Sequence, residues 1–304
     1  MRVFVTGAHG QVAQSLREAA AADPSIVMGF AARPEVDLAR PESVLPAMEA
    51  FRPDLVVNPA AYTAVDRAED EPELAFAINR DGAAAVAKAA ARLEVPIIHL
   101  STDYVFDGAK AEPYVESDPI APIGVYGRSK AEGEMAVAQA NGRHVILRTA
   151  WVYAPFGANF VRTMLRLAGE RDVLRVVDDQ IGCPTYAPDI ASVVLQIGRQ
   201  IVDGRMTHTH AGVTHLAGPD AMSWRQFASA VMAGLAERGG RAATIEAITT
   251  ADYPTRAQRP ANSRLATRRL QELFAVHMPA MPQSLGRCLD HLVGSVQDSQ
   301  RSCT

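Results

Sequence analysis

The chain has 304 residues, 48% of them hydrophobic and 21% charged, with a formal net charge of −4. This length suits one large α/β domain or two modest ones, and the negative charge disfavours nucleic acid and anionic membranes as partners. The three cysteines lack zinc-ligand spacing, and we recognise neither a membrane-length apolar run nor a signal peptide. We therefore expect a cytoplasmic protein with reduced thiols.

Apolar runs typical of buried strands alternate with Ala-rich helical patterns through the first half of the chain. Strands are expected at RVFVTG, IVMGFAA, PDLVVNPAA, PIIHLSTDYVF and HVILRTAWVY, and a helical pattern follows each of the first four. Strands that alternate with helices form βαβ units, which place parallel strands in one sheet with helices on both faces. The sequence therefore predicts an α/β protein with a doubly wound parallel sheet.

After about residue 155 this alternation loosens. Helices are expected at NFVRTMLRLAGE, APDIASVVLQIGRQI and SWRQFASAVMAGLAERG, and one more core strand is expected at VTHLAG. We predict a dinucleotide-binding domain over residues 1–155, with return segments at about 173–217. A smaller, partly interleaved C-terminal substrate domain is expected from about 156–172 and 218–304.

A glycine-containing turn joins the first strand to the first helix. In VFVTGAHGQVAQSL, Gly7 permits a tight turn, and Gly10 lets the backbone approach a pyrophosphate at the helix N-terminus. Ala13 replaces the third glycine of the longer fingerprint and is small enough for close helix–strand packing. A plain turn would look the same in isolation, but its place between a strand and a helix favours a dinucleotide site and a Rossmann-type sheet.

The end of the second strand bears on the choice between NADPH and NADH. GFAARPEVDL has no acidic residue at the strand end, where one would bind the adenosine ribose, and has Arg33 instead. An Arg here either pairs with the 2′-phosphate of NADPH or remains a solvated loop residue. Asp37 and Leu38 begin the next turn, where they would flank the adenine. We expect NADPH as the cofactor and leave NADH open.

Tyr126 and Lys130 have the spacing of a proton-donating pair. Reduction of a carbonyl by a nicotinamide requires a proton on the oxygen, and a neighbouring ammonium lowers the tyrosine pKa from about 10. Residues four apart lie on one helix face, although an exposed helix pair has the same spacing. Thr102 ends a buried-type strand, at the edge where doubly wound sheets bind ligands. Its hydroxyl is expected either to donate to the reacting carbonyl or to satisfy its local turn.

Taken together, these features resemble the extended short-chain dehydrogenase/reductase family. The resemblance rests on the order of the glycine turn, NPAA, STD and YGRSK. It extends to longer stretches from residue 4 to about 191: TGAHGQV, NPAAYTAVDRAEDEPELAFAIN, LSTDYVFDG, YGRSKAEGE, LRTAWVY, NFVRTMLRLA and DDQIGCPTYAPDIA. RPANSRLATRRL extends it more weakly. The longer stretches are similar to the branch of the family that reduces the 4-keto group of a dTDP-linked sugar.

The resemblance implies an NAD(P)H-dependent oxidoreductase with a small-molecule dTDP-sugar substrate, and a homodimer. It implies that Tyr126 donates the proton, that Lys130 assists it and anchors the nicotinamide ribose, and that Thr102 tunes the carbonyl. Further cofactor contacts are implied at Gly10, Gln11, Val12, Asp37, Leu38, Ala61, Tyr62 and Thr63, and Tyr126 is also expected to contact the cofactor. Asp103 and Trp151 would contact the sugar, and Arg259 either binds the diphosphate or lies at the surface. Some members bind a metal through clustered glutamates, and because we recognise no such cluster, no metal is expected.

Three alternatives share this fold. A nucleotide-sugar 4,6-dehydratase needs a second carboxylate after Asp103, where this chain has Tyr104. A nucleotide-sugar epimerase is expected to carry an acidic residue after the second strand, where GFAAR has none. A non-catalytic regulatory subunit, resembling that of methionine adenosyltransferase, would have no chemical need for Thr102, Tyr126 and Lys130 together. Neither the sugar nor its nucleotide base follows from the sequence.

Overall fold

The structure, a computed structural model, describes residues 1–205 and 207–301, with the backbone alone described for residue 208 and for 295–301. Its strands are β1 Arg2–Thr6, β2 Val27–Ala31, β3 Leu55–Asn58, β4 Ile97–Thr102, β5 His144–Thr149, β6 Val152–Tyr153, β7 Val173–Val177, β8 Ile181–Gly182, β9 Thr185–Tyr186, β10 Gly212–His215, β11 Met222–Ser223 and β12 Thr244–Ile248. Its helices are α1 Gln11–Ala21, α2 Val44–Phe51, α3 Val65–Ala68, α4 Pro72–Phe76, α5 Ala83–Arg92, α6 Val125–Ala140, α7 Phe160–Glu170, α8 Ala187–Val202, α9 Trp224–Glu237, α10 Arg268–Phe274 and α11 Met281–Arg301. A π-helical turn over Ala77–Gly82 joins α4 to α5, so the long helix expected after β3 is continuous apart from this turn.

Six strands form one parallel sheet in the order β10-β5-β4-β3-β1-β2. This confirms the predicted α/β fold with a doubly wound parallel sheet. The chain proceeds to one side of β1 through β2 and to the other side through β3. Such a reversal opens a crevice beyond the carboxyl ends of the two strands, where ligands of this fold class bind.

The sheet is buried on both faces. Alternate residues of β1 point in opposite directions, so Val3 and Val5 join the cluster under α1 and α8, whereas Phe4 joins the cluster under α2, α5 and α6. Leu55 and Val56 divide between the same two clusters on β3. Burial on both sides explains why these strands read as continuous apolar runs.

A third cluster lies outside the sheet. It is formed by α7, α9 and α11 with β7 and β12, and its buried members include Val161, Phe227 and Leu289. β7 pairs in parallel with β12, although the sequence prediction assigned residues 173–177 to a return segment of the larger domain. α10, expected in the smaller domain, instead buries Leu270 and Phe274 against the sheet. The domain division stays a prediction, and β7 and α10 pack on the other side of its expected boundaries.

The expected strand HVILRTAWVY is wrong as a single element. β5 ends at Thr149 and the two-residue strand β6 begins at Val152, where it pairs with β9. Between them Trp151 has a φ of +48°, in the left-handed region that interrupts an extended strand. The interruption turns the chain out of the sheet at the carboxyl edge.

Two of the three cysteines lie in the described part of the chain, and both are buried free thiols: Cys183 and Cys288. Burial raises the pKa of Cys183 to about 11 and that of Cys288 to about 12, so both stay protonated at neutral pH. Cys303 lies outside the described residues. Among the helices that the structure describes, none has the length and apolar character needed to cross a bilayer.

Candidate active site

A cleft of about 680 Å³ opens beyond the carboxyl ends of β1, β3, β4 and β5. Most of the residues that the sequence analysis selected line it: Gly7, Gly10, Gln11, Val12, Arg33, Asp37, Leu38, Ala61, Thr63, Thr102, Asp103, Tyr126, Lys130 and Trp151. Tyr62 and Arg259 do not. The structure therefore brings the glycine turn, the end of β4 and the start of α6 to one site, as the strand order predicts.

The glycine turn forms an open cradle at the N-terminus of α1. Gly7 has a φ of +77°, and its N–H donates to the Ala31 carbonyl oxygen at 2.6 Å. Gly10 is the N-cap residue of α1, and a Cβ built on it meets nothing within 4 Å. Gln11 Oε1 is buried without a hydrogen-bond partner in the described part of the chain. Open space and free helix N–H groups fit the pyrophosphate of a dinucleotide.

The opposite end of the cleft lies beyond β2. Arg33 is exposed there, and Leu38 is buried. Asp37 accepts a hydrogen bond from the Ala39 N–H at 3.0 Å and lies 3.5 Å from the Arg40 guanidinium. This end therefore places the Arg33 guanidinium near an apolar surface, which suits an adenosine that carries a phosphate.

Tyr126 is a buried phenol on the first turn of α6. Burial raises its pKa to about 12, and the Asp103 carboxylate adds to the increase, whereas a hydrogen bond with the Thr102 side chain opposes it. The sequence analysis expected Lys130 to lower this pKa, and the net direction is the reverse. The phenol consequently keeps its proton throughout the neutral range.

Lys130 lies one turn further along α6 and is 2% exposed. Its ammonium donates to the Leu100 carbonyl oxygen at 2.7 Å and lies 3.4 Å from His99 Nε2. His99 Nδ1 is in turn 3.0 Å from the Asn58 side-chain nitrogen, so a buried polar column supports the lysine from β4 and β3. Burial lowers the pKa of Lys130 to about 8, and the Glu134 carboxylate opposes this effect.

Asp103 and Tyr104 follow β4 on the same wall of the cleft. Asp103 accepts a hydrogen bond from the Thr102 hydroxyl at 3.0 Å, while its second oxygen has no partner among the described residues. Burial raises the Asp103 pKa to about 6, although the polar side chains of Ser263 and Thr102 oppose the shift. Tyr104 meets the Tyr126 ring edge to face, with centroids 5.4 Å apart. An aromatic ring thus occupies the position at which a dehydratase needs a second carboxylate.

Trp151 lines the cleft from the turn between β5 and β6. Its indole stacks on that of Trp224, with ring centroids 3.5 Å apart and an angle of 8° between the planes. Trp224 is the first residue of α9 and packs against Phe160 of α7, with centroids 4.6 Å apart. A residue of the sheet edge is therefore stacked on a residue of the third cluster.

The two predicted residues that do not line the cleft have other partners. The Tyr62 hydroxyl donates a hydrogen bond to the Glu71 carboxylate at 2.5 Å, and the Tyr62 backbone N–H donates one to the Asn79 side-chain oxygen at 2.8 Å. Arg259 pairs with Asp66 at 2.6 Å, and its Nη1 is buried without a partner in the part of the chain that the structure describes. Their proposed contacts would need side-chain rearrangement, or a ligand that extends beyond the cleft.

Sequence reasoning missed His99, Tyr104 and Trp224. His99 lies within the apolar run of β4. A polar residue on a strand that is buried on both faces needs a hydrogen-bond partner, so its presence in this run indicates a polar neighbour. Tyr104 follows the strand-end Thr102 and Asp103, so it lies at the ligand-binding edge. Trp224 carries no such signal, because only the tertiary fold brings α9 to Trp151.

This arrangement is suited to reducing a carbonyl. It combines a neutral buried phenol, a cation one helical turn away, a strand-end hydroxyl and a cradle for a dinucleotide. Burial keeps the acid protonated. The acid and the nearby cation together stabilise the charges that develop when a carbonyl oxygen takes up a proton.

Comparisons with known proteins point to one family. The model described as the RmlD substrate binding domain matches residues 1–293. The chain is 50% identical over 287 residues to the dTDP-4-dehydrorhamnose reductase of Sinorhizobium fredii, covering 94% of this chain and 96% of that protein.

Two solved structures have the same architecture. The dTDP-4-dehydrorhamnose reductase of Clostridium acetobutylicum is 33% identical with a TM-score of 0.87, covering 96% of this chain and 99% of that one. The reductase of Bacillus anthracis, in complex with NADP, is 32% identical with a TM-score of 0.85, covering 94% and 97%. These matches confirm the resemblance inferred from the sequence.

Proposed function

The chain belongs to the RmlD substrate binding domain family, and from this we propose that it reduces the C4 keto group of dTDP-4-dehydro-L-rhamnose to give dTDP-L-rhamnose. Two observations support the reaction: relatives with this activity in their names match nearly the whole chain, and Thr102, Tyr126 and Lys130 line one cleft. The roles that we assign to these three residues rest on the second observation.

We propose NADPH as the preferred cofactor, with NADH as the weaker one. The glycine turn and the N-terminus of α1 hold the pyrophosphate, and Arg33 pairs with the 2′-phosphate. Lys130 holds the nicotinamide ribose, and Ala61 and Thr63 line the path between the two ends of the cleft. The bound cofactor supplies the hydride that reaches C4. The NADP complex of the Bacillus anthracis relative supports this choice.

Tyr126 delivers the proton to the C4 oxygen. Its buried position keeps the phenol neutral until the oxygen becomes basic, and the Lys130 charge stabilises the phenolate that remains. Thr102 turns its hydroxyl from Asp103 and donates a hydrogen bond to the carbonyl oxygen, and Asp103 accepts the hydrogen bond from Thr102 again afterwards. Trp151 packs against the sugar ring.

The assay that tests the reaction measures NADPH and NADH consumption against a small panel of 4-keto nucleotide sugars. Turnover with dTDP-4-dehydrorhamnose, and faster oxidation of NADPH than of NADH, is the expected result. A protein that bound the dTDP-sugar without oxidising either cofactor would contradict the proposal and favour a non-catalytic role.

Replacing Tyr126 with Phe removes the proton donor while keeping the ring. We expect turnover to fall by about 10²- to 10⁴-fold, with little change in NADPH affinity because the phenol hydroxyl acts on the carbonyl. Steady-state kinetics and a fluorescence titration with NADPH measure the two quantities.

Tyr153→Phe is the matched control for this variant. Tyr153 is also a buried tyrosine, but it lies in the third cluster and its hydroxyl has no hydrogen-bond partner in the described structure. Its turnover should stay within twofold of wild type. Wild-type turnover in Tyr126→Phe would refute the proton-donor assignment.

A further inference from the structure

Trp224 lies outside the cleft, but it forms the surface on which the cleft residue Trp151 rests. The two indoles are nearly parallel, with centroids 3.5 Å apart, and they are the two tryptophans of the chain. At this separation the two rings are in face-to-face van der Waals contact. One face of the Trp151 ring is therefore covered by α9.

The orientation of Trp151 depends on contacts that leave it little freedom. Its backbone has a φ of +48°, in the left-handed region that residues other than glycine seldom adopt. The indole also lies directly on the Gly182 backbone, where an added Cβ would fall 2.2 Å from Trp151 Cε2. Gly182 and Trp224 therefore both restrict the position of the ring.

Trp224 is itself held firmly at the start of α9. The preceding Ser223 caps the helix: its Oγ accepts the Gln226 N–H at 3.1 Å, and its own N–H donates to the Gln226 side chain at 2.8 Å. Asp178 binds both Ser223 and Arg225, the latter at 2.8 Å. The first turn of α9 is thus tied to the loop after β7, and Trp224 is a fixed support.

We propose that Trp224 is a positioning residue, which sets the affinity for the sugar by holding the Trp151 ring in its binding orientation. The inference rests on the proposed function, in which Trp151 packs on the sugar ring. A ring already held in place loses no rotamer freedom when the sugar binds, so the affinity is higher than with a mobile ring. Trp224 does not line the cleft, so its effect passes through Trp151.

Trp224→Ala removes the support and leaves Trp151 in place. We expect the KM for dTDP-4-dehydrorhamnose to rise about 2- to 10-fold, with kcat and the NADPH dissociation constant unchanged. Trp224→Phe, which restores an aromatic face, should recover most of the loss. Val231→Ala is the matched control, because it opens the buried side of α9 within the third cluster without reaching Trp151; its sugar KM should stay within twofold of wild type.

A double-mutant cycle separates an indirect role from a direct one. If Trp224 acts through Trp151, the double variant Trp151→Ala/Trp224→Ala has the same sugar KM as Trp151→Ala alone, because the support has nothing left to hold. Effects that multiply in the double variant would overturn the proposal. So would an unchanged sugar KM in Trp224→Ala, or an equal loss of NADPH affinity.

Spectroscopy keeps this test independent of turnover. Near-ultraviolet circular dichroism should show a coupled indole signal in the wild type, which Trp224→Phe and Trp151→Phe each abolish. In Trp224→Phe the remaining fluorescence reports Trp151 alone, and titration with dTDP-glucose should change it. A wild type that binds dTDP-glucose but reduces no 4-keto sugar would refute the proposed function only. Absence of the coupled signal would refute the positioning role.

Discussion

Lys130 carries its positive charge in surroundings that oppose it. The side chain is 2% exposed, and burial brings its pKa down to about 8, whereas burial raises that of Tyr126 to about 12. The pKa of Lys130 is therefore closer to neutral pH than the pKa of Tyr126, so the lysine changes its charge first as the pH rises. The polar contacts from Leu100 and His99 orient the ammonium without supplying an opposite charge.

The pH dependence of cofactor use should follow Lys130. The lysine is charged below its pKa and neutral above it, so kcat/KM for NADPH should fall above about pH 8 by roughly tenfold per pH unit. In Lys130→Arg the guanidinium stays charged, and whatever activity remains should show no such decline up to about pH 10. Pre-equilibrated pH–rate profiles measure both. A wild-type decline that began only near pH 12 would instead assign the titration to Tyr126.

Helix α6 presents its functional side chains along one face. Tyr126, Lys130 and Glu134 are four residues apart, and all three are buried. Glu134 forms two hydrogen bonds with Arg148 of β5, at 2.9 and 2.7 Å, and the guanidinium also lies over the Phe106 ring. This ion pair fixes the helix to the strand whose end borders the cleft.

Removing one partner of this pair should destabilise the whole fold. Glu134→Leu leaves the Arg148 charge buried and unpaired, which we expect to lower the free energy of unfolding by about 3–5 kcal/mol. The double variant Glu134→Leu/Arg148→Met removes both charges and should regain most of that loss. Equilibrium unfolding in urea measures both variants. A double variant as unstable as Glu134→Leu would show that packing, and not the unpaired charge, causes the loss.

Local patterns predict the elements of the sheet well, because the spacing of apolar residues within each strand or helix reflects which of its side chains are buried. The glycine turn, the strand-end Thr102 and the Tyr126–Lys130 spacing are equally local, so the cleft could be located from them. The pairing of β7 with β12 and the contact of Trp151 with Trp224 join residues about 70 positions apart, and the break at Trp151 leads into a strand that pairs with β9, about 30 positions later. Periodic patterns in a single sequence report burial within one element, so they do not predict contacts between distant elements.

At the scale of the whole molecule, the cleft connects the stability of the fold to its cofactor. The sheet edge supplies one wall, and the turn after β5 connects it with the third cluster through Trp151 and Trp224. A ligand that binds the folded state stabilises it by mass action, by about 2.7 kcal/mol at one hundred times its dissociation constant. Thermal unfolding with and without NADPH therefore reports on the cradle.

Gly10→Val should separate folding from cofactor binding. A Cβ at Gly10 meets no protein atom within 4 Å, so we expect the variant without ligand to melt within about 2 °C of wild type. The added side chain fills the space needed by the pyrophosphate, so the stabilisation by NADPH should be lost. Gly142→Val is the matched control, since its Cβ is equally unobstructed and it does not line the cleft. An undiminished NADPH effect in Gly10→Val would contradict the cradle assignment.

The position of β10 in the sheet has a consequence for synthesis on the ribosome. β5 ends at Thr149 and its outer neighbour β10 begins at Gly212, about sixty residues later. At roughly 5–20 residues per second, β5 emerges about 3 to 13 s before the strand that covers it. During that interval the nascent chain exposes an open, apolar strand edge, which is a site for pairing with other chains. Slow translation between these two strands should therefore increase aggregation more than slow translation after β10.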